Sequence, residues 1–247
     1  MISILTDVVA FQLVTIPLVV GALFLVRERR PRYAIVFLAL FALDTAVLAV
    51  PSVLDLHPAG LEWNWIGKFA GVAWVALFIW VSPFSANDIG ATLRYRPGTV
   101  MPAIRLSGSV LIVTGIVFIL NPIEAPPAIG ETVVYQATMP GIAEEPIFRG
   151  VFLSLLLVAL GGSLSQDKFT WTRATVGAVL ITTLVFGLVH GLSIDGGIHF
   201  QIEEFIFTSI LGGLFAWLRL YTGSLLFPII LHNAVNTLAF LIAFAVH

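Results

Sequence analysis

Long apolar runs separated by short polar segments constrain this chain more than any other feature. A helix needs roughly 20 apolar residues to cross the hydrocarbon core of a bilayer. Runs of this kind recur along the whole sequence, and the polar segments between them are too short to form a sizeable soluble domain. We predict eight membrane-spanning helices, near 4–26, 33–50, 65–83, 104–120, 133–160, 175–192, 200–220 and 225–246.

The composition points to the same fold class. Hydrophobic residues make up 59% of the 247 residues and charged residues 11%, whereas a soluble domain carries about 25% charged residues. The net charge of −2 offers no basic face to a nucleic acid, so we expect no nucleic-acid partner. The absence of cysteine excludes disulfides and a cysteine nucleophile. We predict an all-α integral membrane protein, a polytopic bundle with an intramembrane polar cavity.

Charged residues divide between alternate loops. Ten of the twelve Lys and Arg residues lie in or beside the loops after the first, third, fifth and seventh spans: Arg27, Arg29, Arg30, Arg32, Arg94, Arg96, Arg105, Lys168, Arg173 and Arg219. The opposite loops carry acidic residues: Asp55, Glu62, Glu124, Glu131 and Asp195. Since basic loops stay in the cytoplasm, both termini are predicted to lie outside it. Segment 84–105 mixes Arg with apolar residues and is predicted to lie flat in the interface.

A pair of carboxylates lies inside the fifth predicted span. Glu144 and Glu145 are followed by Arg149. An ionisable residue at the centre of a membrane costs about 2.5–3.5 kcal/mol to insert, so it marks a functional site by default. Glu145 and Arg149 are one helical turn apart and are predicted to pair, which leaves Glu144 free to act as a base. The alternative is an ion pair that only locks helices together.

Two later spans carry further polar groups. Phe186 and His190 share one helix face, and His232 and Asn236 are one turn apart on another helix. An imidazole and an amide side by side can donate two hydrogen bonds to one oxyanion. Alternatively, His190 bonds a backbone carbonyl near a helix end, and His232 and Asn236 hold helices together. Glu144 with the two histidines would also make a zinc site of the His₂Glu kind.

These three motifs resemble those of a known family. Glu-Glu-x-x-x-Arg at 144–149, Phe-x-x-x-His at 186–190 and His-x-x-x-Asn at 232–236 are similar, in the same order, to the motifs of the CPBP intramembrane proteases. That family includes relatives of the type II CAAX prenyl endopeptidase. The segment 219–232 also resembles the approach to the family's last motif.

The resemblance divides the chain into two parts. It extends over residues 133–240, whereas the residues before 130 show no motif of the family. We therefore predict about four N-terminal transmembrane helices at 1–132 and a CPBP-like catalytic core at 133–247.

The resemblance implies hydrolysis of a peptide bond within the membrane. It assigns the activation of water to Glu144 and His190, and the stabilisation of the oxyanion to His232 and Asn236. Supporting positions are Glu145, Arg149 and Phe186. We predict no metal cofactor, and the alternative is zinc held by Glu144, His190 and His232.

The expected partners are the lipid bilayer and a membrane-embedded or lipidated peptide or protein substrate. We expect a multi-pass protein of a prokaryotic cytoplasmic membrane. Two other functions stay open: a non-proteolytic immunity or binding scaffold of the same fold, and a proton-coupled transporter. The complete set of Glu, His, His and Asn favours the enzyme, and the internal repeats common in transporters are not evident.

The predicted boundaries leave one conflict, because they put His190 and His232 at depths roughly 12 Å apart. A common cavity for both side chains takes precedence over these boundaries. Among the remaining acidic residues, Glu203 and Glu204 are predicted to open the seventh span at the interface, and a cavity wall is the alternative. Asp7 and Asp44 are predicted to pair across the bundle or to lie near an interface.

Overall fold

The computed structural model describes residues 2–58, 60–164, 169–194 and 197–246. Lys168 and Asp195, on which part of the topology prediction rests, lie outside these residues. The helices within them are α1 (Ile2–Phe24), α2 (Pro31–Val53), α3 (Trp65–Val81), α4 (Val100–Leu120), α5 (Ile129–Glu145), α6 (Leu153–Ala159), α7 (Arg173–Gly191), α8 (Ile202–Thr222) and α9 (Leu226–Val246). The short strands β1 (Leu192–Ser193) and β2 (His199–Phe200) pair antiparallel between α7 and α8.

The helices form eight rods in the described part of the chain. Helix α5, a π-helical segment at Pro146–Phe152 and α6 follow one another without a break and make up the fifth rod. Six helices are long and apolar enough to cross a membrane, namely α1, α2, α4, α7, α8 and α9, and α3 is a shorter apolar helix. The prediction of an all-α, multi-pass membrane protein is confirmed.

The fifth rod is the centre of the bundle. Every residue from Ile147 to Leu160 is buried, because α2, α3 and α7 all pack around this part of the rod. The ring of Phe152 meets Phe37 of α2 edge to face, with ring centroids 5.2 Å apart, and stacks against Trp74 of α3 at 6.1 Å. This packing fixes the rod on several sides and thereby holds the two glutamates that precede it.

Alternate loops meet at the same end of the bundle. The backbone N–H of Arg30, after α1, donates to the carbonyl of Ala159 at the end of α6, with a distance of 2.8 Å. The backbone N–H of Arg96, after α3, donates to the carbonyl of Thr222 at the end of α8, at 2.9 Å. Contacts of this kind are expected when successive rods alternate in direction, as the prediction of eight spans requires.

The segment between α3 and α4 packs against helix ends. Residues 82–99 run in turns, and residues 100–105 belong to α4. The buried guanidinium of Arg219 donates to the carbonyls of Asp88 and Ile89, at 2.9 and 3.1 Å. The predicted interfacial segment 84–105 is therefore too long, because its last residues begin α4, whereas its first residues fold onto the hairpin of α8 and α9.

Two helices have one of their termini close to the polar residues. Helix α3 begins at Trp65, where the side chain of Asn64 caps it by accepting from the N–H of Gly67. Helix α7 ends at Gly191, directly after His190. In contrast, His232 lies well inside α9. The expected conflict in depth is resolved because α7 and α9 are displaced along their axes, and a helix end leaves room for a cavity.

Candidate active site

The first motif lies where the fifth rod changes its helical form. Glu144 and Glu145 are the last residues of α5, and the π-helical segment begins at Pro146. Proline lacks the N–H that would bond the carbonyl four residues earlier, so the α-helical pattern is interrupted here. Single π-helical turns occur frequently at functional sites. Glu145 is fully buried, and Glu144 is 9% exposed.

Glu145 connects two motifs through one oxygen. Its Oε1 atom lies 3.2 Å from Nη1 of Arg149, so the predicted pair is present, and both side chains are fully buried. The same oxygen lies 2.7 Å from Nδ1 of His232. A carboxylate oxygen accepts, so Nδ1 of His232 donates, and Nε2 is left to face Glu144. The guanidinium of Arg149 also lies over the ring of Phe186, 3.9 Å from its centroid.

Glu144 has one oxygen bonded and the other without a bond. Its Oε1 atom lies 2.5 Å from Nζ of Lys68 on α3. Its Oε2 atom is buried and has no hydrogen-bond partner among the described residues. Oε2 lies 3.8 Å from Nε2 of His190 and 4.0 Å from Nε2 of His232. Both distances are too long for a direct hydrogen bond and suit a bridging water.

His190 bonds a backbone carbonyl and also faces Glu144, so both interpretations of its motif apply to it. Its Nδ1 atom lies 2.7 Å from the backbone oxygen of Phe186, and because a carbonyl only accepts, Nδ1 carries the proton. In the neutral imidazole, Nε2 is then an acceptor directed towards Glu144. The backbone contact thus fixes the tautomer that the site requires.

Asn236 faces a large cavity beside the histidines. Its Nδ2 atom donates to Oε1 of Gln136 on α5, at 3.1 Å. The cavity has a volume of about 710 Å³ and is lined by His190, His232 and Asn236 together with several aromatic rings. Glu203 and Glu204, at the start of α8, also line this cavity. The alternative that these two residues form a cavity wall is therefore confirmed.

A second cavity adjoins the other face of Glu144. It measures about 290 Å³ and lies between α1, α2, α3 and the fifth rod. Its lining includes Asp44, Lys68, Glu144 and His190. Asp44 accepts a hydrogen bond from Nε1 of Trp74 at 3.0 Å, which is a contact across the bundle as predicted. His190 lines both cavities.

Two residues of the site were absent from the sequence prediction. Lys68 is a single ionisable residue in the apolar run 65–83, and the cost of inserting such a residue was a signal that it has a function. Gln136 carries no comparable signal, because its role depends on its proximity to Asn236, 100 residues later.

The charges of the site balance within a buried volume. Among the described residues the site has two cations, and each pairs with one carboxylate. The ammonium of Lys68 pairs with Glu144, and the guanidinium of Arg149 pairs with Glu145. Pairing of this kind is needed because an isolated buried charge loses its hydration without compensation. Both imidazoles lie next to Glu144 without adding a fixed charge in their neutral form.

The same atoms form the donor set of the zinc alternative. Each imidazole has its other nitrogen bonded to an oxygen acceptor, as zinc-bound histidines usually do. The ammonium of Lys68, which pairs with Glu144, would repel a divalent cation bound to the same carboxylate. Within the described ranges, no group of three His, Cys, Asp or Glu side chains stands close enough to hold a metal ion. The donor chemistry suits zinc, whereas the neighbouring charge does not.

The fold and the site define a multi-pass helical membrane protein with a buried Glu, His, His and Asn site. The family model described as Rce1-like, type II CAAX prenyl endopeptidase, matches residues 126–238. The matched region contains all three motifs, and the resemblance inferred from them is confirmed. At the level of the family, the match supports an intramembrane protease of the CAAX type. No curated protein and no solved structure matches the chain.

Proposed function

We propose that this protein is an intramembrane endopeptidase that hydrolyses a peptide bond with water activated by Glu144. The observation that carries the proposal is the unbonded Oε2 atom of Glu144, which lies 3.8 and 4.0 Å from the Nε2 atoms of His190 and His232. A water molecule that donates one proton to Oε2 of Glu144 and the other to Nε2 of His190 presents a lone pair for attack.

The reaction divides between these groups in the following way. Glu144 takes a proton as the water oxygen attacks the carbonyl carbon, and this proton passes to the leaving amine when the C–N bond breaks. His190 orients the water through Nε2. The negative charge on the carbonyl oxygen needs preorganised donors. Asn236 has a second N–H for this purpose, because Gln136 occupies only one.

His232 acts as the second donor only when it is protonated. Its Nδ1–H is engaged by Glu145 at 2.7 Å, so donation to the oxyanion requires a proton on Nε2. The carboxylate of Glu145 stabilises the imidazolium that this proton creates, as the aspartate does in a Ser-His-Asp triad. Glu145 and Arg149 therefore support His232 in addition to the first motif.

The substrate proposed is a membrane-embedded or lipidated peptide, and the location proposed is a prokaryotic cytoplasmic membrane. The 710 Å³ cavity lies within the bundle, and its aromatic lining includes Phe207, Phe215 and Phe240. Apolar walls with a few convergent polar groups are typical of sites for apolar ligands. The set of acceptors and donors around one point favours hydrolysis over a scaffold or a transporter.

We further propose that the reaction needs no metal. The positive charge of Lys68 at Glu144 supports this, because it already satisfies one carboxylate oxygen. The alternative is zinc held by Glu144, His190 and His232, which would supply a Lewis acid to the water. Elemental analysis of the purified protein and activity after chelation distinguish the two. Stoichiometric zinc that is required for activity would refute the metal-free mechanism.

The test of the function is cleavage in membranes. Membrane peptides from cells with the wild-type protein, Glu144→Ala or His190→Ala are compared by mass spectrometry. We expect products with new termini with the wild type and not with the two active-site variants. Glu124→Ala is the matched control, because Glu124 is an exposed carboxylate between α4 and α5, and it should cleave normally. A cellular phenotype of the protein that survives both active-site substitutions, at equal protein levels, would favour the binding scaffold.

A further inference from the structure

Lys68 lies outside the part of the chain that the family model matches. It is the fourth residue of α3, whereas the match begins at residue 126. Its Nζ atom lies 2.5 Å from Oε1 of Glu144, and the two side chains are 14% and 12% exposed. A contact this short between two nearly buried charges fixes the position of both.

We propose that Lys68 is a positioning residue for the hydrolysis. Its ammonium keeps the Glu144 carboxylate ionised and occupies Oε1, so that Oε2 is the oxygen presented to the two histidines. The inference rests on the proposed function, in which Glu144 is the base. It also gives the N-terminal helices a part in the site, because α3 precedes the region that carries the three motifs.

The backbone around Lys68 is anchored, so the ammonium has a fixed origin. The side chain of Asn64 donates to the carbonyl of Leu48 on α2 at 2.8 Å and accepts from the N–H of Gly67. Nε1 of Trp65 donates to Oε1 of Glu131 at the start of α5, at 2.9 Å. These contacts tie the first turn of α3 to α2 and to the same helix that ends in Glu144.

Lys68 is the charge that governs the ionisation of Glu144. Arg149, the other nearby cation, is already paired with Glu145 at 3.2 Å. The described titratable and charged groups around Glu144 come from six parts of the fold: Asp7 of α1, Asp44 of α2, Lys68 of α3, Tyr135, Glu145 and Arg149 of the fifth rod, His190 of α7 and His232 of α9. Without Lys68, Glu144 loses its directly bonded cation, and its ionised form becomes less favourable.

The 290 Å³ cavity makes this role open to chemical rescue. Lys68 lines that cavity beside Glu144 and His190. Truncation of Lys68 to alanine extends the cavity by the volume of the lost side chain. A small alkylammonium ion fits such a space and restores the positive charge at Oε1, whereas a neutral alcohol of the same size does not.

The experiment uses as substrate the peptide whose cleavage products the mass spectrometry identifies. Its cleavage is measured with four variants in liposomes of the same composition. Lys68→Met should lower kcat by about 100-fold with KM nearly unchanged, which is the size of effect expected of a catalytic base whose function is impaired. The acidic limb of its pH–activity profile should move upward by about one pH unit or more. Lys68→Arg should retain most of the activity. Lys68→Ala should regain activity with ethylammonium chloride but not with ethanol.

The fourth variant, Glu144→Ala, separates this inference from the proposed function. If Glu144→Ala is inactive while Lys68→Met keeps the wild-type rate and pH profile, the inference fails and the function stands. If Glu144→Ala is active, the proposed function itself fails. Should Lys68→Met not fold, the alanine variant decides, because absence of any recovery with ethylammonium would overturn the positioning role.

Discussion

The Nδ1 atom of His232 lies 2.7 Å from Oε1 of Glu145, the same oxygen that binds Arg149. A single buried carboxylate oxygen therefore joins the end of α5 to the interior of α9. The sequence predicted the pair of Glu145 and Arg149 but gave no sign of the third member. In this arrangement Glu145 orients His232, whereas Oε2 of Glu144 has no hydrogen-bond partner among the described residues.

We expect Glu145→Gln to destabilise the protein, because it leaves the fully buried guanidinium of Arg149 without a counter-charge. Removal of one partner from a buried ion pair costs about 3–5 kcal/mol. The measurement is the free energy of unfolding in mixed micelles. Glu145→Gln combined with Arg149→Met should be more stable than Glu145→Gln alone, since no unpaired charge remains. Strictly additive losses would contradict the pairing.

We expect Asn236→Ala to lower kcat by about 10²–10³-fold, which is the usual effect of removing one oxyanion donor. Gln136→Leu leaves the amide of Asn236 in place but removes its 3.1 Å hydrogen bond. A hydrogen bond of about 1 kcal/mol corresponds to a loss of roughly five- to tenfold. Steady-state cleavage rates test both values.

The control for this pair is Thr138→Ala on the same helix. The hydroxyl of Thr138 bonds only the carbonyls of its own helix, at Val134 and Tyr135, so kcat should stay at the wild-type value. An equal loss in Gln136→Leu and Thr138→Ala would show that the effect arises from the helix and not from Asn236.

We expect Gly141→Ala to destabilise the contact between α5 and α9. A Cβ atom at this position would collide with the backbone oxygen of Ile229 and lie 2.8 Å from Oδ1 of Asn233. Overpacking of this kind costs about 1–3 kcal/mol. Gly108→Ala in α4 is the matched control, because nothing lies within 4 Å of its Cβ. It should stabilise the helix by roughly 0.5–1 kcal/mol. Thermal unfolding in detergent measures both, and equal shifts would disprove the close packing.

We expect Arg219→Ala to release the segment 82–99 from the end of the bundle. Each hydrogen bond that Arg219 donates to Asp88 and Ile89 contributes about 1.5–3 kcal/mol as a bond to a charged group. Limited chymotrypsin digestion should then cut at Phe84, which is 6% exposed in the intact fold. The exposed Arg94→Ala should digest like the wild type. Protection of Phe84 in the Arg219 variant would show that other contacts hold the segment.

The features that the sequence determined are local or periodic. The number of rods follows from runs of apolar residues, since the thickness of a bilayer sets the length of a spanning helix. The pair of Glu145 and Arg149 follows from a spacing of four residues within one helix. The three motifs are likewise recognised from short spacings within single helices, and the family match over 126–238 includes all three.

The tertiary structure alone decided how these pieces meet. Lys68 reaches Glu144 across 76 residues, Glu145 reaches His232 across 87, and Gln136 reaches Asn236 across 100. Periodicity tells which residues share a face of one helix, but it does not fix the rotation or the axial displacement of one helix against another. Packing around the fifth rod sets both, and it thereby decides that Glu144 has one oxygen bound to Lys68 and the other directed at two histidines.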